Sequence, residues 1–206
     1  MLNTYRSLFA RENDLKIYER TELSLVAKRN YGNGFSWRLR ASHQDRNPLA
    51  NTDSLSFARA ETGGYTPNIP AIGGPAQTWQ SHKAMIVTAG ISFKPGFTYT
   101  QYPDYKAANG SSWPRFSAEY QKGFAGIFGS VTDFDKWNFS ITDDLKLKLM
   151  GSISYNVSVG GFLNSKYVSM ADMKHLNGMR GVGYAAPYLN SFQFAPYYQF
   201  SNVAPL

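Results

Sequence analysis

The sequence predicts an all-β fold, with antiparallel up-and-down strands forming part of an incomplete transmembrane β-barrel. Three observations carry this reading. Apolar and polar residues alternate with a period of two over most of the chain, which is the signature of strands with one greasy face. No apolar run reaches eighteen residues, so a membrane-spanning helix is excluded, whereas a barrel strand shows alternation without a long apolar stretch. Aromatic residues make up 16% of the chain, with 14 Tyr and 14 Phe, against a negative mean hydropathy. That mixture suits a wall that is apolar outside, polar inside and girdled by aromatics at two membrane interfaces.

The first strand is expected over 15–28. Leu15, Ile17, Leu23, Leu25 and Ala27 lie on one face, and Lys16, Arg20, Glu22, Ser24 and Lys28 on the other. Tyr31-Gly32-Asn33-Gly34 follows as a tight-turn signal, because Asn and Gly accept positive φ. A second strand then sets Phe35, Trp37, Leu39 and Ala41 against Ser36, Arg38, Arg40, Ser42 and Gln44. Residues 47–82 are rich in Pro, Gly, Asn and Thr and predict a long loop. Compact soluble domains seldom carry so long a connection, whereas barrels carry them on their outer side. A third strand is expected over 83–93 and a further long loop over 94–114. A fourth strand follows over 115–125 and a fifth over 133–142.

Asp143-Asp144 predicts a tight turn into the longest strand, 145–160, where Leu145, Leu147, Leu149, Ile153, Tyr155, Val157 and Val159 oppose Lys146, Lys148, Ser152, Ser154, Asn156 and Ser158. The small hydroxylated face is what a wet lumen requires. A third long loop is expected over 161–190 and a last strand over 191–200, interrupted by Pro196. Short and long connections then alternate as up-and-down topology demands, except that 94–114 is long where a short link is expected. Seven strands cannot close a single-chain barrel of this kind, which takes an even number from eight upward. Met1 to Arg11 has neither the apolar core nor the small-residue cleavage site of a signal peptide. The C-terminal stretch ends without a closing strand. The expectation is one incomplete barrel domain over 1–206.

With no cysteine in the chain, a disulfide framework, a thiolate metal site and a cysteine nucleophile are excluded. The formal charge of +7 is compatible with an anionic partner. It comes without a dense Lys/Arg block or an RNA-binding aromatic signature, so no nucleic acid is expected. No Gly-x-Ser-x-Gly elbow is present, and the aspartate pairs at 133/135 and 143/144 read as turn residues that satisfy backbone donors. The chain is therefore expected to be no enzyme and to need no cofactor or metal.

The candidate functional feature is the polar face of the strands. Arg38, Arg40, Lys136, Lys146 and Lys148 share its parity with Lys16, Arg20, Lys28 and Arg46. If that face is a lumen, its interior is net positive, with Glu22 and Glu119 offsetting it only in part, and it either favours an anionic solute or pairs its cations with acids on other strands or on a plug. Asp172, His175 and Gly178 read as a structural turn, with Asp172 capping and Asn177-Gly178 supplying positive φ. An Asp/His pair alone does not make a metal site. A second reading is a soluble all-β module that binds glycans through the aromatic loop residues Trp79, Tyr99, Tyr102, Tyr105 and Trp113. Such a module must cover its greasy faces with another layer, and the sequence offers no helices for that purpose.

Several segments, in order, carry a family resemblance. They are Leu15-Lys16-Ile17-Tyr18-Glu19, Gly32-Asn33-Gly34-Phe35, Asp45-Arg46-Asn47-Pro48-Leu49-Ala50-Asn51-Thr52, Pro95-Gly96-Phe97-Thr98-Tyr99 and Trp113-Pro114-Arg115-Phe116. They continue with Tyr120-Gln121-Lys122-Gly123, Asp133-Phe134-Asp135-Lys136-Trp137, Gly160-Gly161-Phe162-Leu163-Asn164, Asp172-Met173-Lys174-His175-Leu176-Asn177-Gly178 and Pro196-Tyr197-Tyr198-Gln199-Phe200-Ser201-Asn202. Together they resemble an outer-membrane β-barrel family of unknown molecular function, whose longer members begin with a carboxypeptidase-regulatory-like β-sandwich. The resemblance covers the chain from about residue 2 to its end. It implies an internal barrel fragment in the bacterial outer membrane, in contact with the lipid bilayer, lipopolysaccharide and the barrel assembly machinery. It implies a role in transport or in envelope and surface assembly. Arg180-Gly181 also resembles the Arg-Gly-aromatic loop of the barrel assembly and secretion family, whose arginine enters the lumen.

Overall fold

A computed structural model describes residues 9, 17–50, 57, 80–147, 149, 151–173, 175–179, 191–193 and 198–200. Its strands are β1 (Tyr18–Asn30), β2 (Phe35–Pro48), β3 (His82–Phe93), β4 (Thr98–Gln101), β5 (Lys106–Gly110), β6 (Arg115–Gly123), β7 (Asp133–Lys146), β8 (Ser152–Tyr167), β9 (His175–Met179), β10 (Ser191–Gln193) and β11 (Tyr198–Phe200). Six of them form one sheet in the order β1-β2-β3-β6-β7-β8. Chain order is thus spatial order, as in an up-and-down meander, with the β4–β5 hairpin carried between β3 and β6. Among the described residues the sheet is open, with β1 and β8 outermost. The described residues fall into two compact units. One holds Glu22–His43 and Ala84–Ser169, and the other holds parts of Met1–Thr21, Gln44–Lys83 and Met170–Asn202.

Local chemistry explains the first turn. Asn30 Oδ1 accepts the Gly32 N–H at 2.9 Å and Asn33 Oδ1 accepts the Phe35 N–H at 3.0 Å, so two Asx turns stop β1 and restart β2. Gly34 has φ 87°, and a Cβ there would stand 2.2 Å from the Lys94 carbonyl oxygen. Only glycine fits that approach.

Four expectations need correction. Asp143 and Asp144 do not turn the chain: they stay in β7, opposite Tyr155 and Ser154. The turn lies beyond them, where the Leu147 N–H meets the Gly151 carbonyl at 2.7 Å and Gly151 supplies φ 102°. Alternation through Ile141, Asp143 and Leu145 continues the strand, and two aspartates cannot override it. The 94–114 link is long because it carries the β4–β5 hairpin of its own. Most of the 47–82 loop lies outside the described residues, but 161–190 is not all loop, since β8 runs on to Tyr167 and β9 follows. The final strand is two short ones, and β10 pairs with β9 in parallel while β11 pairs with it antiparallel.

The register of the sheet sorts side chains cleanly. Ile91, Ala118, Phe139 and Val159 stand opposite one another in a row, as do Phe93, Phe116, Ile141 and Val157. On the other face the rows are Ser92, Ser117, Ser140, Ser158 and Gly90, Glu119, Asn138, Gly160. The apolar face is the uncovered one: Leu25 is 77% exposed and Val157 62%. The buried cluster of Ala84, Ile86, Phe134 and Phe162, against which Val168 packs, lies instead at one end of the polar face. Gly123 makes room for it, since a Cβ there would meet the Phe134 ring at 2.8 Å. The rings of Phe134 and Phe162 meet edge to face, 6.2 Å apart.

Candidate functional site

The polar face of β1, β2, β3, β6 and β7 forms an open hollow of about 610 Å³, lined in part by Lys28, Arg38, Ser92, Ser117, Glu119 and Asn138. Period-two alternation puts these side chains on one side, and small residues keep the floor low. Gly160 is held to glycine by geometry: a Cβ would come within 2.5 Å of the Trp137 carbonyl oxygen and 3.0 Å of Asn138 Oδ1. The Ser117 hydroxyl donates to Ser92 Oγ at 3.3 Å, and Gln121 Nε2 donates to Thr88 Oγ1 at 3.2 Å. The result is a hydroxyl- and amide-rich wall, open at one end and filled by Phe134 and Phe162 at the other.

The cations expected on this face divide by partner. Arg40 forms an ion pair with Glu22, so its charge is balanced. Lys136 lies 5.9 Å from the centroid of the Phe162 ring. Lys146 stands opposite Ser152 at the end of the sheet, and Lys148 lies outside the described residues. Among the described residues no carboxylate lies within ion-pair distance of Arg38 or Lys28. Part of the charge on this face is thus paired, while Arg38 and Lys28 line the hollow together with Glu119.

In the other unit, Arg46 and Asp172 form a buried bidentate pair. Arg46 Nη1 and Nη2 reach the two carboxylate oxygens at 2.7 and 2.8 Å, and Nε and Nη2 also donate to Gln44 Oε1 at 2.9 and 2.7 Å. Arg46 is 2% exposed and Asp172 4%. Asp172, expected as a cap, presents both carboxylate oxygens to Arg46. It ends a short 3-10 segment, Met170–Asp172, and His175 and Gly178 follow in β9 rather than in a turn. Arg180 and Gly181 lie outside the described residues. Sequence reasoning placed Arg46 on the polar parity but could not find its partner 126 positions away.

A second polar group contains the 133/135 aspartates, which were expected as turn residues but lie in β7, and Lys122 and Asp135 in it sit on the apolar parity. Lys122 donates to Asp135 at 2.7 Å, Tyr120 bonds the same carboxylate oxygen, and Asn164 bonds Asp133 at 2.7 Å. These residues bound the apolar face at the end where Phe134 lies. Of the aromatic loop residues, Tyr99, Tyr102, Tyr105 and Trp113 are exposed. Tyr102 and Tyr105 stack on each other at 4.8 Å across the hairpin tip, and Trp79 lies outside the described residues. No grouping of three or more metal-ligand side chains occurs among the described residues.

Residues 1–204 match the protein family described as "Family of unknown function (DUF5686) C-terminal domain". No curated protein and no solved structure matches the chain.

Proposed function

Because the chain belongs to the DUF5686 C-terminal domain family, for which no activity is known, we propose that it builds the wall of a transmembrane β-barrel in the bacterial outer membrane. The observation that carries this reading is the inversion of the sheet. Its broad apolar face is exposed, and its hydroxylated, basic face is the one that is buried at one end. A water-soluble sheet buries its greasy face, and a barrel wall in lipid does the reverse. The dimensions agree. From Ile153 to Leu163 on β8 the apolar face runs about 33 Å along the strand, at about 3.3 Å per residue. At a tilt near 40° that gives a band roughly 25 Å tall, the height of the apolar belt of outer-membrane barrels.

In this reading the hollow around Arg38 and Lys28 is part of the lumen, and the role is non-catalytic: passage or holding of an anionic solute, or envelope and surface assembly. Lipid, lipopolysaccharide and the barrel assembly machinery are the partners of such a wall. The longer protein is proposed to place a carboxypeptidase-regulatory-like sandwich ahead of it.

The full-length protein should stay in the outer-membrane pellet through a carbonate wash, and its unboiled gel band should run apart from the boiled one. Release into the supernatant with no band shift would return the chain to the soluble reading, with glycan binding by Tyr99, Tyr105 and Trp113 as the next test. If the lumen conducts, Arg38→Ser together with Lys28→Ser should move the reversal potential in planar bilayers toward cation selectivity. An unchanged potential removes the anionic-solute idea.

A further inference from the structure

The link between β6 and β7 is not a passive connection. It makes a single 3-10 turn at Ile127–Gly129, and Phe128 sits there with φ 50° and ψ 33°. This is the left-handed region, which a bulky L-residue holds only where its surroundings impose it. Among the described residues Phe128 alone, apart from glycines, has a positive φ. Gly126 and Gly129 beside it also take positive φ, which lets the chain fold so tightly.

The base of this finger is fixed in several ways. The Gly126 N–H meets the Ser130 carbonyl at 2.7 Å and the Ser130 N–H meets the Ile127 carbonyl at 2.9 Å. The buried Ser130 hydroxyl accepts the Met85 N–H at 2.9 Å and lies 3.0 Å from Thr132 Oγ1. His43 Nε2 is 3.3 Å from the Phe128 carbonyl oxygen, and the two rings meet edge to face at 5.9 Å. The tip is nonetheless open: Phe128 is 73% exposed and Ile127 41%. A rigid, strained base thus presents two large apolar side chains outward, with no polar group at the tip to bind or transform a polar ligand.

We propose that this finger is an interfacial anchor, which seats Ile127 and Phe128 at the boundary of headgroups and acyl chains in one leaflet. The proposal rests on the barrel reading and adds where the wall grips the bilayer surface. Two observations select lipid as the occupant. His43, which the finger contacts, has the parity of Trp37 and Leu39, so the finger lies over the apolar side of the sheet. Its depth also fits. The serine row through Ser117 marks the middle of the apolar band. From there to Phe124 is about 23 Å along the strand, or about 18 Å along the normal at a tilt near 40°. That is about 5 Å beyond the edge of the roughly 25 Å apolar belt. The Lys122–Asp135 pair stands at neighbouring depth, where charge is tolerated and aromatic rings favour the interface.

Residues 1–206 hold no cysteine, so once any cysteine elsewhere in the full-length protein is replaced by serine, a single introduced one reports its own position. Single-cysteine variants Phe128→Cys, Ile127→Cys, Val157→Cys and Asp104→Cys of the full-length protein would carry a nitroxide in phosphatidylethanolamine/phosphatidylglycerol vesicles. Collision rates with oxygen and with a water-soluble nickel chelate then report depth. The expected ratio of oxygen to nickel accessibility is highest at Val157 and lowest at Asp104. Labels at 127 and 128 should fall between, severalfold above Asp104. If Val157 reads lipid while 127 and 128 match Asp104, or are closed to both reagents as in a protein contact, the anchor is overturned and the barrel stands. If Val157 itself reads water, both readings fall together.

Discussion

Replacing Asp172 with alanine should destabilise the unit that contains it by about 3–5 kcal/mol, the usual effect of stranding one member of a buried ion pair. The geometry leaves little room for relief. Arg46 is 2% exposed, and after the change its guanidinium keeps Gln44 but loses both carboxylate oxygens. Arg46→Met should cost a comparable amount, because the carboxylate is then buried without its counter-charge. The double variant Arg46→Met/Asp172→Leu should recover most of the loss, since well-packed apolar residues replace buried ion pairs at small net cost. Urea unfolding of the four proteins, combined as a double-mutant cycle, checks this. A loss below about 1 kcal/mol for Asp172→Ala would mean that water reaches the pair.

Charge placed on the apolar face should be the second large effect. Val157 stands in the row Phe93, Phe116, Ile141, Val157, and Val157→Lys in a bilayer should cost about 2–4 kcal/mol, as for a cation near the membrane midplane. Ser158→Lys, one residue on, points to the polar face and should lie within about 0.5 kcal/mol of the parent. The order of the two variants is the test. In a water-soluble protein Val157, 62% exposed, would accept lysine without penalty. Folding titrations of the reconstituted full-length protein in urea read the difference, and equal stability of the two variants would remove lipid from the apolar face.

Strand identity was largely legible because alternation is a local property. Leu39, Ile91, Phe139 and Val157 announce their face by parity alone, and a one-residue slip would move every one of them to the other side. Boundaries were less legible where two local signals competed. At Asp143-Asp144 a turn-forming pair stood against continued alternation, and cross-strand pairing with Tyr155 and Ser154 decided for the strand. The β4–β5 hairpin was missed because its strands, Thr98–Gln101 and Lys106–Gly110, are too short and polar to show a period.

The site was legible by halves. Parity placed Arg38, Arg40 and Lys136 on one face, yet it could not show that Glu22 balances Arg40 while Arg38 and Lys28 stand without a carboxylate within ion-pair distance among the described residues. Asp172 looked like a capping residue because its neighbours in sequence are turn formers, while its partner Arg46 comes from a distant strand. The Phe128 finger left only a Gly-Ile-Phe-Gly run as a trace.

The sequence by itself thus determined which residues share a face and that this face is either greasy or wet, because a strand's period of two is set by backbone geometry within a few residues. Only the tertiary structure decided which face is buried, which cations are neutralised and where the backbone is strained. Those properties arise from contacts between residues far apart in the chain, whose meeting depends on register, packing and desolvation that no local pattern encodes.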